Sequence, residues 1–326
     1  MAFIERVHRN GRTYYYVTKG FRIHGGGWKK IRKYLGSVRP DSLTIKNAID
    51  EIERDANALG LRSRSRFKYL DTVDGEALED LKATFLKWYK QLDQTDRENY
   101  LTDFLVRFTY NSNAIEGNRL SLRDTALVLT DGIFPAGTEH NDIIESMNSK
   151  DAFELLKGHR RGLNKTFLLK VHNELTKNTK CRVVGKFRSS DVGIFGSDWA
   201  PPSYKEIPEL MSRFFIWFNN KKGRLHPVEL GAMAHLKLAQ IHPFVDGNGR
   251  TARMIMNWVL QRNGYPMFYI EVKEKKSYYE AIEAADRGDE KTYVRYIAKR
   301  IVAQFTFLGN EETVRPHNDK NILKKE

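Results

Sequence analysis

The residues with the clearest chemical potential lie together in one short stretch. Twelve consecutive residues, from His242 to Arg253, contain a histidine, a carboxylate, two glycines and two arginines. They follow an apolar helical pattern that begins at Pro227 and lead into another, so they predict a glycine-rich turn at a helix N-terminus. The free N–H groups and the positive dipole end at such a place attract phosphate. The sequence therefore predicts an anion site here.

Two residue types support a site for several phosphates. Gly247 and Gly249 let the backbone approach a ligand closely and adopt a positive φ. Arg250 and Arg253 are three residues apart, so we expect both guanidinium groups on one face of the first helical turn. Two cations suit an oligophosphate better than a single carboxylate.

The histidine and the carboxylate add chemistry to this site. Asp246 precedes the glycines, and a carboxylate beside bound phosphates is a typical Mg²⁺ ligand. His242 lies four residues earlier and can accept a proton near neutral pH. A histidine at a helix end or a Gly-Asn-Gly turn alone is most often structural, and the pattern fits neither an EF-hand nor a Walker A loop. The combination within twelve residues favours a functional site.

This stretch, HPFVDGNGRTAR, resembles the signature H-x-F-x-[DE]-G-N-G-R-x-x-R of the Fic family at every fixed position. Three other segments are similar to family elements: HPVELGAMAHLKLAQI to the helix before the motif, VVGKFRSSDVGIFGSDWAPPS to the β-hairpin flap, and SYYEAIEAADRGD to the helix after it. The resemblance covers about residues 100–305. It implies a protein adenylyltransferase that transfers AMP from ATP to a Ser, Thr or Tyr hydroxyl of a target protein.

The resemblance also implies roles for individual residues. His242 would be the catalytic base, and Asp246 would hold Mg²⁺ on the phosphates of ATP. The residues implied in ATP binding come from the flap, the motif and the adenine pocket: Val192, Gly193, Ile194, Phe195, Asp246, Gly247, Asn248, Gly249, Arg250, Thr251, Ala252, Arg253, Tyr278, Tyr279 and Asp286. The flap would pair with a strand of the target.

A second motif, SNAIEGN at residues 112–118, resembles the inhibitory motif [S/T]-x-x-x-E-[GN] of the same family. Ser112 and Glu116 share a helical face, and Gly117 can end the helix. The resemblance implies that Glu116 pairs with Arg253 and takes the place of the γ-phosphate, which silences the enzyme. Relatives with this arrangement can also remove AMP with the same glutamate, so the direction of the reaction stays open.

The elements that position these residues are mainly helical. Apolar residues recur at helical spacing from about residue 44 onward, and Asn10-Gly11 and three consecutive glycines mark hairpin turns before that. We therefore expect a Fic-type helical bundle with a β-hairpin flap, preceded by a small antiparallel β module. The expected divisions are a basic β-hairpin module at 1–40, a helical linker region at 41–95, a catalytic core at 96–308 and a polar tail at 309–326.

The charge is concentrated at the start of the chain. Of 326 residues, 40% are hydrophobic and 29% charged, and the net charge is +14. Residues 1–40 hold ten Lys and Arg and one acidic residue, with aromatic residues interleaved. This composition suits nucleic-acid binding, but also a basic face that packs on the core or contacts an acidic protein.

The alternative function is therefore a nucleic-acid-binding regulatory protein with an inactive or differently specific Fic core. Within enzymes, the alternatives are phosphorylation and transfer of UMP or phosphocholine.

Several classes are disfavoured by what the sequence lacks. A single cysteine, Cys181, excludes intrachain disulfides and a Cys-rich zinc site. No apolar run approaches the ~18 residues of a membrane helix, and the first residues lack an apolar signal segment. We expect a cytoplasmic protein without a membrane contact. The expected partners are a target protein, the chain itself through self-modification, and a second copy in a homodimer.

Overall fold

The structure is a computed structural model that describes residues 2–9, 11–22, 28–59, 62–63, 67–193 and 199–309. As predicted, the chain is mainly helical with an antiparallel sheet at its start. The strands are β1 (Ala2–Arg9), β2 (Arg12–Arg22), β3 (Trp28–Gly36) and β4 (Arg62–Ser63). The helices are α1 (Ser42–Ala58), α2 (Thr72–Gln91), α3 (Gln94–Ile115), α4 (Leu122–Ala126), α5 (His140–Gly158), α6 (Lys165–Thr176), α7 (Ile207–Lys221), α8 (Pro227–Ile241), α9 (Asn248–Arg262), α10 (Lys275–Asp286) and α11 (Glu290–Gln304).

The chain divides into two compact units, residues 1–66 and 67–326. In the first unit, β1, β2 and β3 pair antiparallel in chain order, and the short β4 pairs with β2. Alternate residues of β2, including Val17 and Phe21, are buried against the apolar stripe of α1, which includes Ile52. The helix therefore covers one face of the sheet.

This packing places the division between the units later than the sequence analysis expected. The expected boundary at residue 40 separates the sheet from α1, and the expected linker at 41–95 joins α1 to α2. In the structure α1 completes the core of the first unit, because its buried Ala48 and Ala56 contact the sheet. The apolar face of α2, including Leu78, belongs to the core of the second unit.

Helices α8 and α9 lie at the centre of the second unit. Both are buried on nearly all faces, which is typical of a helix enclosed by others. Each contributes to two apolar clusters: Leu238 and Ile255 belong to one, and Leu236 and Leu260 to the other. The loop between them, residues 242–247, is called the motif loop below. It is therefore anchored at both ends on rigid elements.

The hairpin expected at 183–203 has no strand among its described residues, 183–193 and 199–203. Its backbone groups bond elsewhere: the Gly185 N–H donates to His172, and the Arg188 N–H donates to Pro243 O. The expected polar tail beyond residue 309 and the two hairpin turns lie largely outside the described residues. None of the described helices combines the length and apolarity needed to cross a membrane.

A core substitution tests the packing of the second unit. Leu78 is fully buried in α2. We expect Leu78→Ala to lower the free energy of unfolding by about 2–5 kcal/mol, because it removes buried methyl groups and leaves a cavity. Urea unfolding followed by circular dichroism measures the change. Val73→Ala in the same helix is the control, since Val73 is 76% exposed. Equal effects of the two substitutions would contradict this packing.

Candidate active site

The motif loop begins with a histidine in an unusual backbone conformation. His242 follows α8 with φ 50° and ψ 58°, in the left-handed region. This conformation costs a non-glycine residue roughly 1–2 kcal/mol, so neighbouring contacts must hold it. The His242 N–H donates to Leu238 O at 3.0 Å. Arg188 supports the other side, since its Nε donates to His242 O at 2.9 Å.

The centre of the loop is closed by a pair of reciprocal hydrogen bonds. The Phe244 N–H donates to Asn248 Oδ1, and Asn248 Nδ2 donates to Phe244 O, both at 2.9 Å. Gly247 adopts φ 75°, and a Cβ there would lie 2.8 Å from Thr176 Cγ2. Both observations explain why this position carries glycine.

His172 of α6 holds the motif loop in place. Its ring stacks on Phe244 with centroids 3.7 Å apart. Its Nε2 lies 2.9 Å from Asp246 O, and its Nδ1 accepts from the Gly185 N–H at 3.0 Å. This network assigns the ring proton to Nε2. Burial lowers the pKa of His172 to about 4, so the ring is neutral at pH 7.

The two arginines of α9 diverge, contrary to the expectation that they share one face. Arg250 turns toward α5, where its Nη1 lies 3.0 Å from Glu145 Oε1, and its Nη2 lies 3.0 Å from Asp246 Oδ2. The second oxygen of Glu145 accepts from Asn118 Nδ2 at 2.9 Å. Glu145 thus links Arg250 to the segment that follows α3.

Arg253 turns toward the C-terminal end of α3. Its Nε donates to Ser112 Oγ at 3.0 Å, and its Nη2 donates to Ser112 O at 2.8 Å and to Glu116 Oε1 at 2.6 Å. Burial alone would lower the pKa of Arg253, but the Glu116 carboxylate outweighs it and the pKa is raised. The ion pair expected between these residues is therefore present.

Glu116 reaches this position because α3 ends there. It caps the helix, and Gly117 follows with φ 102°. The carboxylate lies so close to Gly249 that a Cβ at residue 249 would collide with it. The first turn of α9 therefore accommodates this carboxylate only because residue 249 has no side chain.

The His242 ring is oriented to accept a proton. Its Nδ1 lies 3.3 Å from Ala239 O, so a proton on Nδ1 can donate there and leave the lone pair on Nε2. Burial lowers the pKa of His242, which keeps the ring neutral at pH 7. A neutral imidazole with a free Nε2 is the state a general base requires.

The residues expected near the adenine are in different surroundings. Tyr278 is buried, and its hydroxyl lies 2.7 Å from Nε2 of His235. Tyr279 is 38% exposed. Asp286 accepts from Gln240 Nε2 at 2.8 Å. Tyr279 is thus the more accessible of the two rings.

The remaining expected residues belong to the first turn of α9 and to the flap. Thr251 and Ala252 are buried in that turn. Val192 and Gly193 lie in a segment without regular structure. The expected flap residues Ile194 and Phe195 lie outside the described part of the chain.

Sequence reasoning missed three residues that shape the site: Glu145, His172 and Arg188. It singled out none of the three. The only sequence signal was the position of Arg188 within the segment similar to the flap. The buried side chain of Arg188 joins that segment to the motif loop.

A Mg²⁺ site has one candidate protein ligand. The Asp246 carboxylate is half-exposed; one oxygen accepts from the Gly247 N–H at 2.6 Å and the other pairs with Arg250. No cluster of three or more metal-ligating side chains is found in the described ranges. A single exposed carboxylate fits Mg²⁺, which is commonly bound through one or two carboxylates together with substrate phosphates.

The burial of His172 predicts a pH dependence of stability. Its pKa is about 4 in the folded protein against 6.5 as the ordinary value. Between these values the unfolded chain binds more protons, so the contribution of His172 is complete above about pH 6.5 and is lost as the pH falls toward 4. The expected loss is about 1.4 kcal/mol per pH unit. Urea unfolding between pH 7 and 4.5 measures this loss. His172→Gln should reduce the slope of the free energy of unfolding against pH by about that amount. The same slope in the variant and in the unsubstituted protein would contradict a buried neutral ring at residue 172.

Comparison with known proteins connects this geometry to a family. Residues 162–260 match the Fic/DOC family. The chain is 34% identical over 253 residues to a protein adenylyltransferase Fic of Nematostella vectensis, an alignment that covers 75% of this chain and 58% of that protein. It is 32% identical over 297 residues to the protein adenylyltransferase fic-1 of Caenorhabditis elegans, covering 88% and 56%. The chain thus spans about half the length of the curated relatives it matches.

Solved structures share the fold. A Fic domain containing signaling protein from Bacteroides thetaiotaomicron superposes with a TM-score of 0.66 at 27% identity, over 71% of this chain and 95% of that chain. Fic-1 of C. elegans gives a TM-score of 0.63 at 24% identity, over 81% and 76%. Taken with the motif loop and its arginines, these matches show a Fic/DOC domain at residues 162–260.

Proposed function

We propose that this chain is a protein adenylyltransferase that transfers AMP from ATP to a Ser, Thr or Tyr hydroxyl of a target protein. The observation that carries the proposal is the neutral His242 at one end of the motif loop, with Arg250 and Arg253 at the other. Together they can accept a proton from a hydroxyl and bind the phosphates that it attacks.

The names of the relatives support the proposal, because several are protein adenylyltransferases and the alignments extend well beyond the motif. They do not favour the alternative of a regulatory protein with an inactive Fic core. Phosphorylation and transfer of UMP or phosphocholine are tested by presenting other nucleotides. Self-modification, a homodimer and a cytoplasmic location stay predictions.

The proposed reaction uses each part of the site. Nε2 of His242 takes the hydroxyl proton as the oxygen attacks the α-phosphorus, and the bond from that phosphorus to the pyrophosphate oxygen breaks. The first N–H groups of α9 and the side chain of Arg250 bind the phosphate oxygens. Mg²⁺ held by Asp246 would neutralise charge on the phosphates. Most of the catalysis is then positioning and charge neutralisation, as phosphoryl-type transfer requires.

Glu116 inhibits this reaction in our proposal. Its carboxylate pairs with Arg253 beside Gly249, at the place where a γ-phosphate would need the same guanidinium. A carboxylate and a phosphate repel each other, so both cannot occupy this place at once. ATP must displace Glu116 or bind in an unproductive position. The same carboxylate is available to orient a water for removal of AMP.

Removing the Glu116 carboxylate tests the proposed inhibition. We expect Glu116→Gly to raise the rate of self-modification with ATP and Mg²⁺ by at least about tenfold, equivalent to about 1.4 kcal/mol of relieved competition. We expect the double variant with His242→Ala to carry no AMP, because the base is lost. Intact-mass measurement detects the added AMP, and ATP, UTP, GTP and CTP are compared in parallel.

The control for this experiment is Glu139→Gly, since Glu139 also flanks a helix end but, among the described residues, pairs with the exposed Arg119 and Lys180. It should leave the rate unchanged. An unchanged rate of self-modification in Glu116→Gly would contradict an inhibitory role of Glu116. Absence of AMP on every variant and on added cellular proteins would contradict adenylyl transfer.

The metal role of Asp246 is tested separately. We expect Asp246→Asn, combined with Glu116→Gly, to raise the Mg²⁺ concentration needed for half-maximal rate by about tenfold or more, because a neutral amide is a weaker ligand for a hard cation. Asp151→Asn is the control, since Asp151 lies in a surface ion pair with Lys177. The same Mg²⁺ dependence in both variants would exclude Asp246 as the ligand.

A further inference from the structure

The sheet of the first unit has one face that α1 covers and one that the described residues of this unit leave open. The strand register assigns the side chains to these faces, since alternate residues point to opposite sides. The residues of the open face are Phe3, Glu5, Val7, Arg9, Arg12, Tyr14, Tyr16, Thr18, Trp28, Lys30, Arg32 and Tyr34. Trp28 and Tyr34 are 57% and 51% exposed.

The open face of the sheet carries more cationic than acidic side chains. On the covered side, Lys19 and Lys33 form ion pairs with Glu53 and Glu51 of α1. Among the side chains that the structure describes, the open face has those of Arg9, Arg12, Lys30 and Arg32 against the carboxylate of Glu5, which pairs with Arg32 at 3.1 Å. The helix therefore pairs with two lysines of the covered side, and the open face keeps a net positive charge.

The tyrosine rings of this face are in contact with one another, whereas Phe3 and Trp28 are 49% and 57% exposed. The rings of Tyr16 and Tyr34 lie 5.2 Å apart, and the guanidinium of Arg32 lies 3.7 Å above the Tyr16 ring. The ring of Tyr14 also lies beside that of Tyr34, with the ring centroids 6.2 Å apart. Binding of single-stranded nucleic acid relies on rings that are free to stack with unpaired bases. The tyrosines here instead pack against one another and against Arg32, which also pairs with Glu5 at 3.1 Å, and this packing is compatible with a duplex partner.

The dimensions of the face also fit a duplex. With strands about 4.8 Å apart, the β1–β2 hairpin that carries Arg9 and Arg12 has the width of the two-stranded ribbon that the major groove of B-DNA, about 12 Å wide, admits. The major groove of duplex RNA is too narrow for side chains to read. Arg12 and Lys30 lie near opposite ends of β2, because Lys30 pairs with Gly20. At about 3.3 Å per residue these ends are roughly 26 Å apart, so the cations can contact phosphates on both sides of the groove.

From these observations we propose that the open face of the N-terminal sheet binds double-stranded DNA, with its cations on the phosphates and its central side chains in the major groove. This binding is additional to the activity proposed for the second unit and does not depend on it. It requires only the first unit to recognise DNA, whereas the motif loop and its arginines belong to the second.

The test uses the full-length chain and a fluorescent 20-base-pair DNA duplex, with anisotropy measured over a range of salt concentrations. The test variant is Arg9→Gln, Arg12→Gln, Lys30→Gln. We expect its dissociation constant to rise by at least about tenfold. We also expect the slope of the logarithm of the association constant against the logarithm of the salt concentration to become less negative, by about 0.9 for each phosphate that the variant no longer neutralises. The control removes three exposed cations from the second unit: Arg119→Gln, Lys180→Gln, Arg213→Gln.

The outcomes separate this proposal from its competitors. Weaker duplex binding in the test variant, with binding unchanged in the control, supports it, provided that circular dichroism shows both to be folded. An equal weakening in the two triple variants overturns it, because binding would then follow net charge alone. Tighter binding of single-stranded DNA than of the duplex overturns it in favour of base stacking. Equally effective competition by polyglutamate overturns it in favour of an acidic protein partner.

Discussion

The candidate site depends on one constraint, the fixed backbone of the loop between two fully enclosed helices. Reciprocal hydrogen bonds between Phe244 and Asn248 close the loop, and His172 holds the carbonyl of Asp246 from an adjacent helix. Each bond satisfies a buried polar group that would otherwise destabilise the fold. The histidine at one end and the helix N-terminus at the other are therefore held at a set distance by the protein's own contacts.

The two buried arginines follow from the same enclosure. A guanidinium that is 3% exposed must be paired, because an uncompensated buried charge is strongly destabilising. Arg250 is paired by Glu145 and Asp246, and Arg253 by Glu116. The partner of Arg253 is supplied from the end of a helix and is 33% exposed, so a phosphate that enters from solvent can reach and replace it. The contact that we propose to be inhibitory thus also supplies the charge partner that the buried Arg253 needs.

Local patterns predicted much of the fold and the motif, and long-range partners were the part that they could not supply. The spacing of apolar residues after Pro227 and the glycines of the motif located α8, the loop and the start of α9. The roles of His172 and Arg188 depend on residues 74 and 54 positions away, so no periodicity or spacing marks them. The expected hairpin failed in its described part for a related reason. Its residues had suitable strand propensity, but the N–H of Arg188 bonds to the motif loop and that of Gly185 to His172.

The left-handed backbone of His242 has a consequence for how this sequence can change. Glycine or asparagine would occupy that conformation with less strain, and neither can act as a base. Stability alone would therefore favour glycine or asparagine at this position, whereas the base that we propose requires histidine. The proposed chemistry and the robustness of the fold thus make opposite demands on residue 242.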